Sequence, residues 1–284
     1  KNKLFHLSKT IKNTSNLIDF STPCVMGVLN LTEDSFFDGG KYISRIQIQN
    51  RVKEIYLEGA KIIDIGACSS KPGSKPIEEN KEIDKLLEAI KIIKETSPNL
   101  IISVDTFRAN VARECIKHGA HIINDISAGE LDSKMLETIV ELNVPYVMMH
   151  MQGKPLDMQK NPQYENIIDE IIKFFEKKIL LLNEKGFKKI IIDPGLGFGK
   201  NIQHNYQIVN NIEEFHTLGY PLLIGASRKS MIYKLLDISA VEALNGTTII
   251  NTIALLKKTS ILRVHDIKEA VECIKLTEMT LKSR

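Results

Sequence analysis

GFKKIIIDPGLGFGKNIQHNYQIVNNIEEF, residues 186–215, holds one full unit of the pattern that decides the fold. Gly186-Phe187 punctuates the end of a helical pattern. Ile190–Ile192 is a short β-branched apolar block. Asp193 and the glycine-rich stretch Pro194–Lys200 follow, and Asn201–Phe215 then repeats at helical spacing. A block that is apolar at successive positions marks a strand buried on both faces, as in a parallel sheet covered by helices.

The same unit recurs along the chain. Apolar blocks stand at Val25–Leu29, Ile62–Ile65, Ile101–Val104, His121–Ile123, Tyr146–Met149, Ile190–Ile192, Leu222–Ile224 and Ile261–Val264, which makes eight. Between and after them lie helical patterns at Ser44–Leu57, Glu78–Thr96, Ala109–His118, Ser133–Leu142, Tyr164–Lys185, Asn201–Phe215, Ala240–Lys257 and Lys268–Leu281. Eight alternations of strand and helix predict an α/β fold, a closed (β/α)8 TIM barrel, as one domain over 1–284. The competitor is an open doubly wound sheet, whose first strand carries a GxGxxG turn; this chain has none after a strand. Gly59-Ala60, Gly119-Ala120 and Gly186-Phe187 each precede a strand, as helix C-caps do. The first twenty residues do not fit the barrel count; Leu4–Leu7 and Leu17–Phe20 predict a hairpin at the barrel bottom.

Bulk numbers narrow the function classes. A length of 284 residues suits one barrel, and 43% apolar with 26% charged residues suits a globular chain. A net charge of +3, spread among acids, gives no footprint for nucleic acid. No run of eighteen apolar residues is present, so no membrane span is predicted. Four cysteines, Cys24, Cys68, Cys115 and Cys273, show neither metal-ligand spacing nor a disulfide framework. That usage predicts a reducing, cytoplasmic setting.

Barrel strands point their C-terminal ends at one mouth, where function collects. Strand one ends in Asn30 and strand two in Asp64. Asp105-Thr106 ends strand three and Asn124-Asp125 strand four. Met149-His150 ends strand five and Asp193 strand six. Strand seven runs into Gly225-Ala226-Ser227-Arg228-Lys229-Ser230, and strand eight carries Arg263-Val264-His265. Cations and hydroxyls at these last two ends predict a receptor for a phosphate or pyrophosphate, because guanidinium forks and ammonium groups match phosphate oxygens. Asp105, Asn124 and Asp193 form an acidic and amide half, suited to the amino-pyrimidinone edge of a guanine or pterin. The mouth therefore reads as bipolar, with Lys229, Arg263, His265 and Lys71 on its cationic side. Asn30 has an oxygen for a hard cation, and Met149 and Phe198 have apolar surface for a ring. Ser230 begins a helical segment whose N–H groups suit an anion. The loops Leu31–Gly40 and Gly66–Lys75 lack periodicity and read as lids.

The motifs VMGVLNLTEDSFFDGG, SSKPGS, SVDT, IND, MMHMQG, DPGLGFGK, GASRKS and RVHD, in order from Val25 to Asp266, together resemble dihydropteroate synthase. That resemblance implies condensation of 6-hydroxymethyl-7,8-dihydropterin pyrophosphate with p-aminobenzoate, a step of folate synthesis. It implies a pterin site of Asp105, Asn124, Met149, Asp193, Phe198, Gly225 and Lys229. It implies a pyrophosphate site of Asn30, Lys71, Arg263 and His265, with Mg2+ at Asn30. It implies a p-aminobenzoate pocket of Phe36, Ser70, Lys71, Pro72, Phe198 and Ser230. Lys229, Arg263, His265 and Asp105 would carry catalysis, sulfonamides would compete as ligands, and the late helices would form a homodimer. The chain departs from the family pattern at Ser70-Lys71, where Thr-Arg is usual, at Glu33, where Pro is usual, and at Cys68, where Glu is common. Two other classes stay open: a pterin-dependent methyltransferase domain, and a catalytically silent pterin-binding paralogue.

Overall fold

A computed structural model of the chain describes residues 10–12, 17–31, 41–67, 77–153 and 158–283. Two short strands, β1 (Thr10–Lys12) and β2 (Leu17–Asp19), pair antiparallel with Ile11 opposite Ile18. Eight parallel strands follow: β3 (Cys24–Asn30), β4 (Ile62–Gly66), β5 (Ile101–Asp105), β6 (Ile122–Asp125), β7 (Tyr146–Met149), β8 (Ile190–Asp193), β9 (Leu223–Ile224) and β10 (Ile261–Val264). Their order in the sheet is β8-β7-β6-β5-β4-β3-β10-β9. A parallel bridge from Ile192 to Leu222, with the Ile192 N–H donating to Pro221 O at 2.9 Å, joins the two ends. The predicted (β/α)8 barrel is the fold.

Helices cover the outside of the barrel: α1 (Lys41–Leu57), α2 (Glu79–Thr96), α3 (Ala109–Lys117), α4 (Met135–Leu142), α5 (Ile167–Glu184), α6 (Ile202–Asn210), α7 (Ser230–Tyr233), α8 (Leu244–Leu256) and α9 (Ile267–Lys282). Local chemistry sets several of their ends. The Asn166 side chain accepts from the Ile168 and Asp169 N–H groups and starts α5 three residues later than the pattern predicts. Asn201 and His204 form a capping box at α6. The predicted single helix Asn201–Phe215 breaks at Asn211, after which Ile212–Leu218 winds as a 3-10 helix. Two successive asparagines, weak helix formers, stand at that break. The Ser239 N–H and hydroxyl both bond Glu242 Oε2, and this turn delays α8 to Leu244.

Strand pleating divides the core into two layers. Val25, Ile63, Ile102, Ile123, Tyr146, Ile190 and Leu262 pack outward with the helices. Met26, Ile62, Ile122, Val147, Ile191, Leu223 and Ile261 form a separate interior cluster, closed below by Ile18 and Phe20. The hairpin therefore plugs the barrel bottom as expected, but its first arm is Thr10–Lys12; Leu4–Leu7 lies outside the described residues. Each buried aliphatic side chain in that plug contributes about 1.5–3 kcal/mol of transfer free energy.

Candidate active site

Two residues above the apolar interior layer, the same strand faces turn polar. Ile62 is followed by Asp64, Ile122 by Asn124, Ile191 by Asp193 and Ile261 by Arg263. Side chains two apart on a strand share a face. The apolar plug thus forms the floor of a polar chamber at the mouth.

Arg263 organises the centre of this chamber. Its Nε donates to Asp64 Oδ2 at 2.7 Å and its Nη2 to Asp105 Oδ2 at 2.9 Å. Asn124 Nδ2 donates to the same Asp64 oxygen at 3.0 Å. Asp64 is fully buried, while Asp105 and Arg263 keep partial access to solvent. Burial raises the Asp105 carboxyl against the pull of Arg263, with Asp64 adding repulsion. The expectation of a bipolar mouth is corrected here. Arg263 is bonded into the acidic and amide half, because its guanidinium neutralises two carboxylates that could not otherwise be buried together.

Asp193 is buried, and its Oδ1 accepts the Gly195 N–H at 2.7 Å. Burial raises its carboxyl, and Lys229 pulls it down. The Lys229 ammonium donates to Leu196 O and lies 4.9 Å from the centre of the Phe198 ring. That contact is of the cation–π kind. Burial lowers Lys229 to about 8, with Asp193 opposing the shift. Met149 is buried at the end of β7, and Gly225 lies beside Arg263 and Lys229, where a Cβ would make ordinary contact at 3.7 Å from Arg263 Cβ.

The GASRKS motif splits in two. Arg228 has φ of 53°, an uncommon left-handed conformation for a residue with a side chain. The turn sends Arg228 outward, where its Nε and Nη2 grip Asp266 at 3.0 and 2.7 Å and its Nη1 donates to Val241 O at 2.6 Å. Arg228 is thus a structural clasp rather than a second cation of the anion receptor. Ser227 is buried, with its hydroxyl 3.0 Å from His265 Nδ1. Ser230 remains partly exposed at the start of α7, a single turn of four residues. His265 also departs from the cationic expectation. Partial desolvation and the Arg263 charge lower its imidazole to about 4, so it is neutral near pH 7. Asn30 is exposed at the end of β3. Phe36, Ser70, Lys71 and Pro72, with Glu33 and Cys68, lie outside the described residues.

Other polar strand ends serve the scaffold. Asp125 accepts from the Ser127 and Gly129 N–H groups, the Ser127 hydroxyl and Tyr146 OH, which ties the β6 turn to the helix layer. Thr106 donates to Glu82 Oε1 at 2.8 Å. His150 packs edge-on against Phe174 and is 3.1 Å from the buried Lys200 ammonium. Lys200 also donates to Phe198 O at 2.8 Å within its own loop and to His150 O at 3.3 Å, which fastens the loop after β8 to the end of β7. Gly195 makes that fastening possible: its φ is 71° and a Cβ would fall 2.0 Å from His150 O.

Sequence reasoning missed two residues. Asp64 received no role, although an aspartate inside the run Ile62–Gly66 is a charge in a fully buried strand. Lys200 closes the glycine-rich stretch, and nothing in the local pattern showed that its amine turns back under Phe198.

The model of the family described as pterin binding enzyme matches residues 26–265 of the chain. Dihydropteroate synthase of Escherichia coli (strain K12) is 40% identical over 269 residues, which covers 94% of this chain and 95% of the relative. The dihydropteroate synthase of Bacillus subtilis (strain 168) is 39% identical, covering 90% of this chain and 88% of the relative. Among solved structures, Yersinia pestis dihydropteroate synthase in complex with a sulfonamide drug superposes with a TM-score of 0.90 at 36% identity, covering 96% of this chain and 99% of that one. The Xanthomonas albilineans enzyme with 4-aminobenzoic acid gives a TM-score of 0.89 at 30% identity, covering 96% and 98%.

Proposed function

Because the chain belongs to the dihydropteroate synthases of the pterin-binding enzyme family, we propose that its barrel mouth performs that family's reaction with the residues described above. The protein is a transferase. It condenses 6-hydroxymethyl-7,8-dihydropterin pyrophosphate with p-aminobenzoate to give 7,8-dihydropteroate and pyrophosphate. The observation that carries the assignment of roles is the chamber itself: Asp105, Asn124 and Asp193 converge with Arg263 and Lys229 above an apolar floor.

In this reading Asp105, Asn124 and Asp193 take the donor edge of the pterin, and Met149 and Phe198 line its face. Lys229 bridges ring and acidic half. The carbon–oxygen bond to pyrophosphate breaks, the electron-rich dihydropterin spreads the positive charge, and the neutral aniline nitrogen then attacks the carbon and releases a proton to solvent. The buried carboxylates favour that developing cation electrostatically. The remaining Arg263 donors, with neutral His265 as a hydrogen-bond donor, receive the leaving group. Mg2+ is the proposed cofactor: a single amide oxygen at the rim, Asn30, fits an ion that keeps its waters and takes other oxygens from substrate phosphates. When bound it would neutralise charge on the departing pyrophosphate. Phe36, Ser70, Lys71, Pro72 and Ser230 are proposed to frame the p-aminobenzoate side, where sulfonamides compete.

A homodimer is proposed through the late helices. Ile249 and Leu256 on α8 and Leu276 and Met279 on α9 are exposed apolar residues on neighbouring helices, the pattern of an interaction surface. A cytoplasmic location is proposed from the unpaired thiols of Cys24, Cys115 and Cys273. Among the described residues no helix is long and apolar enough to cross a membrane.

The deciding assay is pyrophosphate release with both substrates. Release that requires p-aminobenzoate supports the synthase. A methyl transfer without it would favour the methyltransferase alternative, and pterin binding with no turnover the silent paralogue.

A further inference from the structure

We propose that Asp64 is a positioning residue that sets the hydrogen-bond polarity of the pterin side of the mouth. It does so by fixing which end of the Asn124 amide faces the ligand. The inference rests on the reading of the mouth as a pterin site.

Asp64 lies two residues above Ile62 on β4 and is fully buried. One oxygen, Oδ2, accepts both Asn124 Nδ2 at 3.0 Å and Arg263 Nε at 2.7 Å. The two ends of a primary amide are chemical opposites, a donor and an acceptor. With the Asn124 amide turned over, its oxygen would stand 3.0 Å from an Asp64 oxygen already committed as an acceptor to Arg263. Two acceptors at that separation repel, and the buried pair would lose a bond it cannot recover from water. Asp64 therefore locks Asn124 with Nδ2 inward. That leaves Oδ1 and the second Nδ2 hydrogen for the chamber; among the described residues no group donates to Asn124 Oδ1.

The consequence is a specific ligand chemistry. With Oδ1 of Asn124 outward, the acidic half offers acceptors from Asp105, Asn124 and Asp193 in one arc. Such an arc selects a heterocycle edge rich in N–H donors, with one ring acceptor opposite the remaining Nδ2 hydrogen of Asn124. Specificity of this kind is strong because a mismatched buried polar pair is left unsatisfied. The same aspartate holds Arg263 by Nε, with Nη2 on Asp105, which fixes the plane of the guanidinium. Asp64 thus orients one group on each side of the reaction without meeting the ligand itself.

The test is calorimetry with 6-hydroxymethyl-7,8-dihydropterin pyrophosphate and, separately, with inorganic pyrophosphate and Mg2+. Asp64→Leu removes the shared acceptor at nearly the same volume, so Asn124 can turn over; pterin-substrate affinity is expected to fall by about tenfold or more. Pyrophosphate affinity should fall less, because Asp105 still holds Arg263 Nη2. In Asp64→Asn the amide oxygen can still accept from both Arg263 and Asn124, so that variant should bind the pterin substrate nearly as wild type does. Asn124→Asp sets two carboxylates face to face and should be as weak as Asp64→Leu. Thermal melting accompanies each protein. A simple loss of charge would make Asp64→Asn as weak as Asp64→Leu, and that result overturns the proposal, as does an Asp64→Leu protein that binds the pterin substrate like wild type. Should Asp64→Leu fail to fold, Asp64→Asn against Asn124→Asp still decides: equal pterin affinity in the two overturns the proposal. The wild-type protein separates the two levels: if it neither binds the pterin substrate nor releases pyrophosphate, the pterin reading itself has failed.

Discussion

The floor and the mouth of this barrel are built from the same strands, two residues apart, and they obey opposite rules. At the floor, Met26, Ile62, Ile122, Val147, Ile191, Leu223 and Ile261 pack against Ile18 and Phe20 with no polar atom to satisfy. One step up, Asp64, Asn124, Asp193 and Arg263 occupy the same faces and are held by directional bonds. A floor residue gains free energy from area removed from water and is indifferent to its neighbours' orientation. A mouth residue loses solvation and recovers it only from a partner at one place and angle. The floor should therefore govern how stable the protein is, and the mouth how well it binds and turns over.

A pair on one strand tests that division most severely. Ile191→Ala, in the floor, should destabilise the fold by about 2–5 kcal/mol, the usual cost of a buried cavity. Its kcat/KM per folded molecule should stay near wild type. Chemical denaturation beside active-site titration measures both, and a large loss of specific activity would show that floor and mouth are coupled.

Asp193→Asn, two residues above, is the converse. The amide keeps the acceptor for Gly195 and relieves the burial of a charge, so melting should barely change or rise. Pterin-substrate affinity and turnover should fall by about 1.5–3 kcal/mol, the range for a hydrogen bond to a charged group. Equal affinity in mutant and wild type, by calorimetry, would remove Asp193 from the ligand set.

The pH profile sharpens the comparison, since the mouth holds groups that titrate near neutrality and the floor side chains named above carry none. Lys229 is lowered to about 8, so its cation is present below that pH and lost above it. On the alkaline side kcat/KM should drop about tenfold per pH unit, because this ratio reports the free enzyme. Asp105 is raised above the ordinary carboxylate range, and its protonation should draw an acid limb. Lys229→Arg keeps a cation at high pH and should abolish the alkaline limb. A limb that survives in that variant assigns it to another group.

The smallest effect is expected at Lys71. Lys71→Ala should weaken kcat/KM by about 1 kcal/mol, the upper end for an exposed charge; an alanine variant equal to wild type would take Lys71 out of leaving-group binding. Lys71→Arg should match or exceed wild type, because a guanidinium offers two parallel hydrogen bonds. Steady-state kinetics of the two variants at saturating Mg2+ separates these outcomes.

Much of this architecture was readable from the chain. Tyr146–Met149 and Ile261–Val264 are strands with the boundaries the apolar blocks predict. Gly59, Gly119 and Gly186 take the left-handed conformation that a helix C-cap requires. These features are local: burial on both faces writes an apolar run, and a turn that needs positive φ writes a glycine. The strand-end positions of Asp105, Asn124, Asp193 and Lys229 followed from that register.

What the sequence by itself determined, then, was the strand and helix order and the residues that stand at the mouth, because pleat and period act between near neighbours. Only the tertiary structure decided which of those residues bond to which. Arg263 meets Asp64 across 199 positions of chain, a contact that exists because β10 closes the sheet beside β3. Arg228 and Lys229 are adjacent cations, and one left-handed backbone angle sends the first to Asp266 and leaves the second over Phe198. Asp64 reads as one more aspartate until closure of the barrel brings an amide and a guanidinium onto the same oxygen. Partners of this kind are fixed by the geometry of a closed sheet, which no single segment of the chain carries.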